Sequence, residues 1–365
     1  MIKKITLILF LTVALVQSQI PSGYYDSATG YDYELKTQLF EIINNHNDQG
    51  YNALDDFYIT NDIDVYYEND NTILDIYSEN PSGTDPYNFS TENSCGNYSS
   101  EGDCYNKEHI IPQSVFGSNY PMRSDAHHLL PTDGRVNGFR SAYPYGVVGQ
   151  NLVSQSGISN PTQNGSKLGN NLNEGYSIGY TNIVFEPIDE FKGDIARIYF
   201  YFITRYENLI SSWSSYDMFN GSSDQVLQDT FLNILINWHL NDPVSQKEID
   251  RNNQIYLFQG NRNPFIDHPE YVEEIWSSSN DNESPSSPTN IQIFDITDNS
   301  FQLSWDSSTD NVSVDSYNIY IDNNLYANTE ITNYLISGLS SNTYYCINIT
   351  ASDQSCNSSS FCQQE

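Results

Sequence analysis

Two neighbouring stretches, YNKEHIIPQS (residues 105–114) and DAHHLLPTDGRVNGFRSAYPYG (residues 125–146), decide the reading of this chain. Tyr105 to Ile111 has the texture of a strand, and Pro112 marks the end of its pairing. A second short strand is expected through His127 to Leu130. Pro131-Thr132-Asp133-Gly134 then turns the chain into a helix, with Thr132 or Asp133 as its cap. Asn137 falls in the first turn or two of that helix and Arg140 one turn further on. Side chains alternate along a strand, so Glu108 and His109 point to opposite faces unless a bulge or turn intervenes. A strand pair followed by a helix can bring His109 and Asn137 onto one cation.

These residue types suit hydrolysis of a phosphodiester. A base must take a proton from water near neutral pH, and histidine does so without a shifted pKa. A divalent cation neutralises the phosphate and stabilises the leaving oxygen. Hard cations take oxygen ligands, which Glu108 and Asn137 supply. An arginine holds phosphate through two parallel hydrogen bonds. His127 and His128 look like a metal pair, but neighbours on a strand face opposite ways, and one is expected to orient other groups. Asp125 and Asp133 read as turn caps, and His239 and His268 as structural histidines. Lys192, Asp194, Arg197, Arg205 and Arg251 fit either the cleft or internal ion pairs.

Outward from this segment, residues 19–277 read as one mixed domain. Leu35, Leu39, Ile42 and Ile43 follow helical spacing, predicting a helix over Asp32 to His46. Residues 63–77 read as two strands joined by Asn69-Asp70-Asn71. An apolar helix follows Gly193, with Asp194 placed to cap it. Another covers Asp229 to Leu240 and ends at Asp242-Pro243. Ser245 and Glu248 form a capping box for a helix that stops at Gly260, and a last short helix runs from near Pro269 to Trp276. The polar run SSSNDNESPSSP (277–288) reads as a linker, taken as 278–288. Beyond it come short alternating strands at Ile291 and Ile293, Phe301–Trp305, Tyr317–Ile321 and Tyr345–Ala351.

The formal charge is −33, and all 14 Lys and Arg residues lie at or before Arg262. A basic nucleic-acid-binding surface is therefore excluded. Locally the balance differs: residues 104–145 hold Lys107, Arg123, Arg135 and Arg140 against Glu108, Asp125 and Asp133. Residues 1–18 read as a secretory signal peptide, with Lys3 and Lys4 before the apolar run Ile5–Val16 and a small Ser18 at the cleavage point. Export is expected, with no membrane-spanning segment in the remaining chain. The five cysteines suit that compartment. Cys95 and Cys104 bracket a short polar loop and are expected to pair; Cys346 could pair with Cys362, leaving Cys356 in the turn between. No CxxC spacing suggests zinc.

Two family resemblances follow from these stretches. The half-motifs at 105–114 and 125–146, with DEFKGDIARIYFYFITRYE (189–207) and WHLNDPVSQKEIDRNNQIYLFQGNRNPFIDHPE (238–270), resemble the bacterial endonuclease I family with its ββα-metal, or His-Me finger, site. That resemblance implies His109 as the general base and Glu108 and Asn137 as ligands of Mg²⁺ (or Mn²⁺ or Ca²⁺). It implies hydrolysis of DNA, with RNA as a further substrate, at little sequence preference, by a monomer. Some relatives carry a phosphate-steadying arginine in a longer insert between the half-motifs; here the gap is short, and Arg123 and Arg140 take its place by position only. In residues 289–365, Leu339 to Tyr345 (LSSNTYY) and Trp305 resemble the tyrosine corner and core tryptophan of a fibronectin type III domain. The expected fold class is thus α+β: a ββα nuclease core surrounded by helices, then an all-β sandwich. Two alternatives stand beside a nuclease, namely an adhesion or matrix-binding protein with an inactive nuclease domain, and a phosphoesterase for small substrates.

Overall fold

The computed structural model describes residues 20–277, 284–310, 314–353, 357–360 and 362–364. Residues 1–18, expected to be a signal peptide, lie outside these residues, as do most of the expected linker and Cys356, and the Cys362 side chain is likewise not described. The chain divides into two compact units, in which Gly30–Leu35 group with Glu270–Glu365 and apart from Lys36–Pro269.

In the larger unit the segment quoted first folds as strand, strand, helix. Tyr105–His109 pairs antiparallel with Leu129–Asp133, and the helix Gly134–Arg140 follows directly. The second strand sits two residues later than the sequence suggested, because Ala126–His128 winds into a 3-10 turn. Pro131 lies inside the strand opposite Lys107, which a two-stranded sheet tolerates because no further strand needs its missing N–H. Asp133 caps the helix, its carboxylate accepting from Val136 N at 2.7 Å. Gly134 and Gly138 leave room for Tyr98, since a Cβ at either would come within 2.6 Å of that side chain.

The Lys192–Arg205 helix, buried along almost its whole length, runs through the centre of this unit. A helix apolar on all sides is a core element. Its cap differs from expectation: Asp194 lies within the first turn and pairs with Lys247 and Arg197. Asp229–Asn241 and Gln246–Gln259 follow the sequence reading closely. The Ser245–Glu248 capping box is formed, and Gly260 takes the left-handed conformation (φ 90°) that ends the second helix. Residues 63–77 form no strands; one bridge joins Ile63 and Ile73. The Asp64 carboxylate takes the N–H groups of Tyr66, Tyr67 and Asn69, donors that a ladder would have needed. Helices at Ala53–Asn61 and Pro264–Asp267, and a three-stranded antiparallel sheet of Val148–Leu152, Lys167–Asn171 and Ile183–Glu186, complete the surroundings.

In the smaller unit, three strands (Thr289–Phe294, Ser300–Asp306, Asn333–Ser337) form one sheet and four (Ser316–Ile321, Asn324–Thr329, Ile347–Ser352, Cys362–Gln364) another. Trp305 and Tyr317 meet edge to face at 5.4 Å in a core with Leu303, Ile319, Ile336 and Ile349. The Tyr345 hydroxyl accepts from Ser340 N at 2.8 Å, closing the corner that LSSNTYY suggested.

Candidate active site

Glu108 and His109 end the first strand with no bulge between them, and alternation does divide them. Both are buried, at 2% and 4% exposure, yet both line one open cleft of about 460 Å³. Asn106, Lys107, Asn137, Arg140 and Tyr51 also line it. The strand stops at His109, so its last two residues both reach the cleft.

The two oxygens of Glu108 have different surroundings. Oε1 accepts from the Tyr77 hydroxyl at 3.0 Å and from Arg140 Nη1 at 3.1 Å. Oε2 accepts from no side chain among the described residues, while the backbone N–H of His109 lies close to the carboxyl. Burial pushes this carboxyl up to about 7, against the opposing pull of Arg140 and Tyr77. Across the cleft, Asn137 donates from Nδ2 to Asn106 Oδ1 at 2.8 Å, which fixes the amide and leaves its Oδ1 unpartnered among the described residues. A hard cation needs oxygen donors of this kind, one carboxylate and one amide, free of competing side-chain hydrogen bonds. The chemistry of the donor set therefore fits a divalent cation.

His109 donates from Nε2 to the Arg123 carbonyl at 3.1 Å, since a carbonyl can only accept. Nδ1 is then the unprotonated nitrogen, and it makes no hydrogen bond among the described residues. Tyr51 lies parallel to the ring at 5.9 Å (8° between planes), and His128 meets it edge-on at 5.5 Å. Burial, then His128 and the nearby arginines, holds His109 down to about 3, so the imidazole is neutral at pH 7.

The structure separates the two arginines. Arg140 is 1% exposed; its Nη1 donates to Glu108 Oε1 and the His109 carbonyl (3.0 Å) and its Nη2 to the Ile110 carbonyl (2.7 Å), over the Tyr145 ring at 4.5 Å, while Nε has no partner among the described residues. Arg123 does not line the cleft; its guanidinium lies 5.0 Å from the Tyr51 ring and forms no ion pair among the described residues. His127 and His128 both serve the backbone, bonding to the Asn261 carbonyl at 3.3 Å and the Met122 carbonyl at 2.6 Å. His239 bonds to the Pro269 carbonyl at 3.0 Å. Lys192, Arg197 and Arg251 are held by Glu186, Glu248 and Asp62, and Arg205 by His46, so internal pairing accounts for them. Asp125 caps the turn at His127 and also receives Tyr201, Tyr206 and Gln259. Cys95 and Cys104 form the expected disulfide, and Cys95 stands on the cleft rim. Sequence reasoning missed Tyr51, Tyr77, Tyr145 and Asn106; nothing in the local sequence marks these three tyrosines among 29, or singles out Asn106.

The family model described as Endonuclease I matches residues 31–270, and that of the fibronectin type III domain residues 286–360. An extracellular ribonuclease of Bacillus amyloliquefaciens is 32% identical over 261 residues, covering 69% of this chain and 78% of that protein. The extracellular ribonuclease of Bacillus subtilis (strain 168) is 32% identical over 267 residues with the same two coverages. An endonuclease-1 of Buchnera aphidicola subsp. Acyrthosiphon pisum is 30% identical over 177 residues, 44% of this chain and 58% of that protein. The strand–strand–helix cleft with its neutral histidine thus belongs to a chain that is a nuclease and a member of the endonuclease I family, with a fibronectin type III domain after it.

Proposed function

We propose that this protein is an exported, cation-dependent endonuclease that hydrolyses phosphodiester bonds in DNA and RNA with little sequence preference. The observation that carries this reading is that His109, whose Nδ1 is left unprotonated, lines a cleft shared with Glu108 and Asn137. Export is supported by the extracellular naming of the Bacillus relatives and by the leader-like residues 1–18. No helix among the described residues is long and apolar enough to cross a membrane. The catalytic part is taken as residues 19–277 and the appended module as 289–365. The protein acts as a monomer in this reading.

In the proposed mechanism His109 Nδ1 takes a proton from a water lying in line with the scissile phosphorus. The hydrogen bond from Nε2 to the Arg123 carbonyl holds the ring in the tautomer that exposes Nδ1. Tyr51, stacked on the same ring, keeps its plane fixed. A phosphate anion brought beside the ring favours the protonated form that the transfer creates. Glu108 Oε2 and Asn137 Oδ1 would hold the cation, Mg²⁺ or Mn²⁺ or Ca²⁺. When bound, that cation neutralises charge on the phosphate and stabilises the leaving oxygen. Arg140 and Tyr77 hold Glu108 by its other oxygen and position it. Arg123, carrying an unpaired charge beside Tyr51, steadies the phosphate.

The test is cleavage of plasmid DNA and of a structured RNA with Mg²⁺, with EDTA, and by His109→Ala. Loss of both activities in EDTA, and a fall of about 10²–10⁴-fold in the variant, are expected. Full activity in His109→Ala would overturn the base assignment. Cleavage of nucleotides alone would favour a phosphoesterase.

A further inference from the structure

A second group of oxygen ligands lies outside the cleft. Carboxylate oxygens of Asp64, Glu68 and Glu79 all sit within 4.8 Å of one another. None of the three lines the cleft that holds Glu108 and Asn137. Such clusters are common on acidic surfaces, but this one is built into the protein. Asp64 and Glu79 are 2% and 1% exposed, and only Glu68 reaches solvent. The Oε1 atom of Glu79 is buried and has no hydrogen-bond partner. No ion pair among the described residues involves any of the three. The charges nearest Glu79 are Asp85, Glu68 and Asp64, all of one sign. The Glu79 carboxyl lies within hydrogen-bond reach of that of Glu68, yet its Oε1 finds no donor and the group as a whole has no positive partner.

The loop is shaped to present this group. Asp64 accepts from Tyr66 N and Tyr67 N at 3.0 Å and from Asn69 N at 2.9 Å, winding the chain so that Glu68 returns beside it. Asn69 and Asn71 take left-handed conformations (φ 55° and 64°) that close the turn back to Thr72. The donors are all hard oxygens, with no nitrogen or sulfur, which points away from zinc and copper. Three protein carboxylates converging on one point suit calcium, which accepts many oxygens at about 2.3–2.6 Å, better than magnesium, which keeps its waters. Oxygens this close together can share one calcium ion, with backbone carbonyls and waters completing its shell.

We propose that Asp64, Glu68 and Glu79 form a structural calcium site, separate from the cation of the nuclease cleft. Calcium there would pin the segment that leads from Asp75 to Glu79. That segment carries Tyr77, whose hydroxyl bonds to Glu108.

The test uses the full chain, stripped with EDTA and dialysed, with calcium alone at about 1 mM as the probe. Thermal unfolding and calorimetric titration are read for wild type, Glu79→Gln, Glu68→Gln and Asn137→Ala. Expected is a calcium-dependent rise in Tm in wild type and in Asn137→Ala, larger than that given by equal magnesium. Glu79→Gln and Glu68→Gln should bind calcium at least tenfold more weakly and lose the rise. In the absence of calcium, Glu79→Gln should melt at or above the wild-type temperature, because a repelled buried charge has been removed. Should that variant fail to fold, the exposed Glu68→Gln decides alone. An unchanged calcium response in Glu68→Gln, a response lost only in Asn137→Ala, or none in wild type each overturns the proposal. The last outcome would leave carboxyls that share a proton in place of an ion.

Discussion

His109 Nε2 and the Arg123 carbonyl lie 3.1 Å apart, so the catalytic ring is oriented by the backbone of a residue whose side chain is free for other work. The two contributions of Arg123 can therefore be separated. Arg123→Ala keeps the carbonyl and deletes only the guanidinium. Expected are an unchanged Tm and a loss of about 10–100-fold in kcat/KM, the range of one or two charge-assisted hydrogen bonds. Wild-type kinetics in Arg123→Ala would remove it from phosphate binding.

Arg140 should behave in the opposite way. Its guanidinium is buried against Glu108 and two carbonyls, so Arg140→Met leaves a buried carboxylate uncompensated. Breaking such a pair costs about 3–5 kcal/mol. A drop in urea midpoint of matching size, together with loss of activity, is expected. A variant that keeps its stability and loses only substrate affinity would return Arg140 to the phosphate.

Tyr77 donates to Glu108 Oε1 and lies 2.6 Å from the Tyr145 hydroxyl, all within a buried cluster. Tyr77→Phe removes one polar atom and keeps the ring. Destabilisation of about 1–2 kcal/mol is expected, with cation affinity weakened because Glu108 loses one of the two groups that orient it. An unaltered cation titration would show that Arg140 positions Glu108 unaided.

Three buried histidines make a contribution to stability that acid removes. Burial holds His127 down to about 3 and His128 and His239 to about 4, well below the ordinary histidine value. Unfolded, these rings take protons near pH 6.5; folded, they resist until pH 3–4. Their stabilising contribution is thus complete above about pH 6.5 and is lost as pH falls towards 4. Across that window the raised carboxyls, Glu108 among them, act in the opposite sense, so the histidine share is read by difference: urea midpoints of His239→Gln should fall less, or rise more, than those of wild type as pH drops. Equal slopes in both proteins would refute the contribution of His239.

The charge of −33 repels polyanions at long range, while the cleft needs a phosphate at short range. Cleavage should therefore rise with moderate salt before it falls. A monotonic loss of activity from the lowest salt upward would contradict this.

Legibility followed the range of the interactions. The strand–strand–helix unit, the Asp133 cap, the Ser245–Glu248 box and the Cys95–Cys104 pair rest on neighbours in sequence, and each was readable. The second strand slipped by two residues because Asp125 draws the His127 N–H into a turn, a competition no periodicity reveals. Residues 63–77 alternate like strands, yet Asp64 takes their donors. Arg140 looked like a phosphate ligand because its type suits that role; only the buried Glu108 carboxylate, 32 residues away, assigns its guanidinium elsewhere. Tyr51 and Tyr77 reach the site by tertiary packing alone.

The pairing of Arg140 with Glu108 has a thermodynamic consequence. A carboxylate already matched by a guanidinium, beside a neutral amide, offers an incoming dication little net negative charge. The compensating charge must arrive with the nucleic acid. Cation and substrate should then bind cooperatively, each raising the affinity of the other by the same factor. Such an enzyme loads its metal weakly while idle and acquires it with the strand to be cut, so the apparent cation requirement should fall as substrate concentration rises.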